Sequence, residues 1–99
     1  MTLAHAYAIA EARSCLAALA DNARSVEASI EYDRLLIHLD GIVDDYVAGI
    51  WALDEADPER LLARLDVAVE ELVACGLDCL SAELLLDMAI GAGESSEPR

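Results

Sequence analysis

From Leu36 onward large apolar side chains recur every three or four residues, and Leu36, Leu39, Val43, Tyr46, Ile50 and Leu53 form a heptad seam that Leu35 and Ile42 widen. A strand turns alternate residues to opposite faces and would scatter this set over both, whereas a helix gathers it on one. The same period returns elsewhere. Leu3, Ile9, Ala12, Leu16 and Leu19 fit one side of a first helix, and Leu61, Leu62, Leu65, Ala68, Val69, Leu72 and Val73 fit one side of a third. Hydrophobic residues make up 57% of the chain but aromatics only 4%, with no Phe, so a core must be built from Leu, Ile, Val and Ala. Small aliphatic side chains of this kind suit closely packed helices.

Polar breaks set the expected boundaries. Thr2 can cap a helix over 3–20. Asn22 then reads as a stop and Ser25 as the next cap. One unbroken helix is the rival reading, because Ala23, Val26 and Ile30 continue the spacing of Leu16 and Leu19; the register shift after Ile30 favours the break. The second helix is expected over 25–54, softened at Asp40-Gly41 and at Gly49, each glycine costing about 1 kcal/mol against Ala. A kink or break at Gly41 stays open. Asp57-Pro58 opens a third helix over 58–75, which Gly76 closes, and Asp78 caps a fourth over 78–90.

The expected fold is therefore all-α, a small bundle of three to four helices in a single domain over 1–90, followed by a disordered acidic tail over 91–99. The fourth helix is apolar nearly all round, leaving Glu83 and Asp87 as a narrow polar strip. Such a helix must be covered on most sides. In so short a chain that points to a subunit interface at Leu80, Leu84, Leu85 and Met88, with a homodimer, formed there or through the heptad seam, completing the bundle.

Charge narrows the function. The chain has 20 acidic and 6 basic residues, a formal charge of -14, and every basic residue is Arg. A surface this acidic repels nucleic acid and anionic membrane and attracts basic proteins or divalent cations. No apolar run approaches the roughly 20 residues that span a bilayer. The apolar stretch from Ala4 to Ala10 has no basic residue before it and is interrupted by Glu11 and Arg13, so it reads as helix and not as a signal peptide. Cys15, Cys75 and Cys79 are an odd set without disulfide-framework spacing, as expected of a cytoplasmic protein.

Two kinds of acidic site follow. Asp33, Asp40 and Asp44 fall on one arc of the second helix opposite the seam, with Ile37 and Trp51 beside them, which makes these five residues the expected contact face for a basic protein partner. The leading expectation is thus a small binding or regulatory protein that also self-associates, without catalytic residues or cofactor. Carboxylate pairs at i,i+4 carry the alternative: Glu27 and Glu31, Asp40 and Asp44, Asp66 and Glu70, Glu83 and Asp87. This layout is similar to that of all-α nucleoside triphosphate pyrophosphohydrolases, and the resemblance implies a divalent-metal-dependent nucleotide phosphohydrolase with Mg²⁺ or Mn²⁺ on Asp40, Asp44, Asp66 and Glu70. A structural assembly subunit is the third class.

Other chemistry finds little support. Neither His5 nor His38 has a ligand-type residue three or four positions on. Ser14, Ser25, Ser29 and Ser81 lie in no triad pattern, and no Gly-rich phosphate loop occurs. The stretch Gly76-Leu77-Asp78-Cys79-Leu80-Ser81 resembles the attachment site of acyl carrier proteins, but the modified serine falls on Cys79, and a helix stop followed by a cap accounts for the same letters.

Overall fold

The short polar breaks between apolar runs decide where this chain turns. The structure, a computed structural model, describes residues 3–23, 25–42 and 53–95, with side chains over 5–23, 25–41 and 53–92. Its helices are α1 (Leu3–Asp21), α2 (Val26–Ile42), α3 (Pro58–Ala74) and α4 (Cys79–Ser95), and no strand occurs among the described residues. Between α1 and α2 the break is real. Asn22 turns both its backbone and its side-chain N–H onto the Ala18 carbonyl, at 3.0 and 2.8 Å, and Ser25 Oγ accepts from the Ala28 N–H at 3.1 Å. Asp78 caps α4 in the same way, its carboxylate accepting from the Ser81 N–H at 3.1 Å. Asp57 sits at the N-cap of α3 before Pro58, but its carboxylate makes no cap bond and lies 3.8 Å from Arg60 Nε.

Gly76 closes α3 with φ +116°, a backbone state that side chains disfavour. That turn lets the Gly76 N–H reach the Val73 carbonyl at 3.0 Å and the Leu77 N–H reach the Leu72 carbonyl at 2.9 Å, so these two carbonyls near the helix end are satisfied. Leu77 packs against the core, the apolar contact that accompanies this type of stop. Both short connections make helical hairpins, α1 with α2 and α3 with α4.

The hairpins lie side by side, α1 against α3 and α2 against α4. Among the described residues α1 does not touch α4 and α2 does not touch α3, so these pairs occupy the diagonals of a four-helix bundle. Each helix turns a 3-4 row inward: Ile9, Ala12, Leu16 and Leu19 from α1, Ala28, Tyr32, Leu35 and Leu39 from α2, and Leu61, Leu65, Ala68 and Leu72 from α3. Burying each such leucine contributes about 1.5–3 kcal/mol. The alanines among them let the helix axes approach closely.

Three expectations are corrected. The inward register of α2 runs through Leu35, and Leu36 is only partly buried, because Ala28 and Tyr32 extend the row toward Leu35 and Leu39. Of the heptad seam, Leu39 is buried in this core and Leu36 and Leu53 pack partly against it, while Val43, Tyr46 and Ile50 lie outside the described residues. Second, α2 is described as helical to Ile42, so Asp40 and Gly41 lie within it, but residues 53–57 are irregular and the helix does not reach 54. Pro58 disfavours helical backbone at the residue before it. Third, α4 continues through Gly91 to Ser95, with Ala92 buried, so the expected tail does not begin at 91.

Candidate functional site

Helix α4 is packed inside out. Its core row is Ala82, Leu85, Ala89 and Ala92, mostly small residues, while Leu80, Leu84, Met88 and Ile90 remain 74, 52, 36 and 49% exposed. Leu85, expected at a subunit interface, is fully buried within the chain's own core and belongs to the fold. Leu80, Leu84 and Met88 stand one helical turn apart and form a ridge roughly 12 Å long at 1.5 Å per residue. A groove of about 610 Å³ follows α4 on the α3 side, lined by Leu62, Ala63, Asp66, Glu83, Leu86, Asp87 and Ile90. A second, of about 590 Å³, runs on the α2 side between Glu27, Ile30, Glu31 and Arg34 and the opposing Met88, Gly91 and Ala92.

Charge on this face is unspent. Every described arginine is engaged within the chain: Arg13 with Asp40 at 2.8 Å, Arg34 with Glu31 at 3.3 Å, Arg60 with Glu55 at 3.5 Å, and Arg64 with Glu11 at 2.8 Å. Glu27, Asp66, Glu83 and Asp87 make no ion pair among the described residues. They stand beside apolar side chains in these two grooves, with Arg34 in the groove of Glu27.

The acidic face expected on α2 is only partly assembled. Asp33 and Ile37 are exposed on its outer side. Asp40 turns instead toward α1, where Arg13 Nη2 also donates to Asp40 Oδ2 at 3.3 Å and the Arg13 side chain is only 12% exposed. This is a packing contact between α1 and α2. Asp44 and Trp51 lie outside the described residues.

Nor are the acids of the metal alternative brought together. Asp40 is on α2 and Asp66 and Glu70 are on α3, helices on a diagonal of the bundle, while Asp44 is outside the described residues. Among the described residues no group of three or more His, Cys, Asp or Glu is placed to hold a metal ion.

The cysteines divide by burial. Cys15 is fully buried, and burial first, then the charge of Glu11, push its thiol up to about 11 against the opposing pull of Arg64. Such a thiol is inert at neutral pH. Cys75 and Cys79 are exposed on either side of the α3–α4 turn. Burial also raises the Tyr32 phenol above its ordinary 10.0. A further apolar groove of about 520 Å³ lies between α1 and α3, floored by Ala8 and Ala68, and its arginine, Arg64, is tied to Glu11.

The sequence does not announce that Ile30 of α2 and Gly91 share a groove beside α4. One signal was present. Ala82, Leu85, Ala89 and Ala92 repeat at 3-4-3 spacing, which marks the inward row and leaves the larger residues outside. No protein-family model, curated protein or solved structure matches the chain. No helix among the described residues is long and apolar enough to cross a membrane.

Proposed function

We propose that this chain is a small acidic binding protein that engages a basic protein surface through the outer face of α4. The packing of α4 carries the reading: Ala82, Leu85, Ala89 and Ala92 serve the core while Leu80, Leu84, Met88 and Ile90 stay exposed. A contiguous apolar surface of this kind marks an interaction site. Covering it with a partner regains hydrophobic free energy that the isolated chain leaves unused. The flanking Glu27, Asp66, Glu83 and Asp87 then select for Lys and Arg in the partner and speed its approach.

The same exposed leucines support a second reading, self-association through α4. A two-fold contact there sets Glu83 and Asp87 near their own copies, so the dimer is weak at low salt and strengthened as salt screens the repulsion. Binding to a basic partner has the opposite dependence. Capture on the immobilised chain, compared with a Leu80→Ser, Leu84→Ser variant over a salt series, tests the proposal. Basic proteins should be retained by the native chain, released by salt and lost with the variant. Retention indifferent to both salt and substitution overturns it, and sedimentation that rises with salt in the chain alone favours self-association.

A further inference from the structure

We infer that the basic partner docks in the groove between α3 and α4, through a helix that carries one apolar row with Lys or Arg along both edges. This rests on the binding role proposed above, and adds which side of α4 selects the partner and what form the selected segment has. The three grooves differ in the charge of their walls. Between α1 and α3, Arg64 is held by Glu11, and between α2 and α4, Arg34 is held by Glu31. The α3–α4 groove is lined by Asp66, Glu83 and Asp87 and by no basic residue, and none of these acids is in an ion pair among the described residues. Its charge has no counterpart in its own walls. Carboxylates placed so attract an external cation more strongly than acids that share their groove with an arginine.

The floor decides what kind of cation carrier fits. Leu62 and Leu86 are partly buried at its base and Ile90 is 49% exposed, an apolar surface that a small hydrated cation leaves uncovered. A polypeptide segment covers it and brings charge to both walls, to Asp66 on α3 and to Glu83 and Asp87 on α4. Both walls are helices, whose backbone groups bond within themselves, and no strand edge occurs among the described residues. An extended segment here turns part of its own N–H and C=O groups onto an apolar floor without partners, whereas a helix satisfies them internally. The repeat of the α4 wall also suits a helix. Glu83 and Asp87 stand one turn apart, about 6 Å along the axis, and so do Leu86 and Ile90. Cations one turn apart on the partner meet both acids and relieve the repulsion of this like-charged i,i+4 pair. A second copy of the chain brings the same acids, and anionic membrane is repelled by them.

The probe is a fluorescein-labelled synthetic peptide of Leu and Lys, with Leu at i, i+3, i+4 and i+7 and Lys on both edges, beside a scrambled peptide of the same composition. In fluorescence anisotropy with the full chain, the patterned peptide should bind at least about tenfold more tightly than the scrambled one. Asp66→Asn with Asp87→Asn removes one acid from each wall and should weaken the patterned peptide by about tenfold or more, with helical circular dichroism retained. Glu27→Gln with Glu31→Gln changes the net charge equally on the α2 side and should weaken it by less than about threefold. Equal weakening by the two double variants overturns the α3–α4 seat. Equal, salt-sensitive binding of both peptides to the native chain overturns the helix while leaving a basic partner in place. Binding by neither peptide removes that underlying reading as well.

Discussion

Helices α1 and α4 occupy opposite corners of the bundle and pack on the same two neighbours, yet they use their apolar residues differently. In α1 the large side chains Ile9, Leu16 and Leu19 point inward, and both charged residues of its middle are spent on neighbours, Glu11 on Arg64 of α3 and Arg13 on Asp40 of α2. In α4 the inward row is three alanines with Leu85, Leu86 packs partly against the core, Leu80, Leu84, Met88 and Ile90 stay exposed, and Glu83 and Asp87 are unpaired among the described residues. Apolar content alone does not tell how much of a helix the fold consumes. The order of large and small residues around its circumference does.

The contrast breaks if neighbouring leucines of α4 behave alike. Leu16→Ala in α1 and Leu85→Ala in α4 should each cost about 2–5 kcal/mol in urea unfolding followed by circular dichroism. Leu84→Ala should stay within about 0.5 kcal/mol, as surface changes do. A loss of several kcal/mol at Leu84 means the ridge is structural and ends its assignment as a binding surface.

Charges sharpen the contrast at a smaller scale. Asp40→Asn removes the carboxylate facing the largely buried Arg13 and should destabilise the chain by about 1–3 kcal/mol. Asp87→Asn, on the exposed strip of α4, should change stability by less than about 0.5 kcal/mol. The glycines divide next, read by thermal unfolding. Gly76→Ala strains the φ +116° turn and should cost about 1 kcal/mol or more, whereas Gly91→Ala should stabilise α4 by about 0.5–1 kcal/mol.

The last difference vanishes at neutral pH. Cys15 holds its proton up to about 11 in the folded chain, against an ordinary 9.0, so the unfolded chain releases that proton first as pH rises. Its contribution to stability is complete below pH 9.0 and is lost as pH climbs through about 11. A Cys15→Ala chain should lack that alkaline loss. Labelling with a thiol reagent at mildly alkaline pH should find Cys75 and Cys79 reacting quickly and Cys15 reacting only as the fold opens.

Features written in a few adjacent residues were legible in the sequence. Ser25, Gly76 and Asp78 each act on backbone groups within a turn or so of themselves, and each works as its residue type implies. The all-α bundle followed from the period of the leucines. Pairings across the chain were not legible: nothing near Asp40 announces that Arg13, 27 residues earlier, will face it. The register of α2 also depended on tertiary packing, since Leu35 and Leu36 are equivalent by type and only the neighbouring helices choose between them. In α4 nearly every position is apolar, so hydrophobicity carries no direction, and residue size was the remaining clue.

Because α4 meets the core largely through alanines, its outer row is chemically independent of what keeps the bundle folded. Leu80, Leu84 and Met88 are not in the buried row of Ala82, Leu85, Ala89 and Ala92, and among the described residues α1, across the diagonal, does not touch the helix that carries them. On the proposed binding role, recognition and folding would be written on separate sides of one helix. If that role holds, a lineage could trade partners by rewriting three or four outward letters, and a designer could treat α4 as an exchangeable display strip on a constant frame.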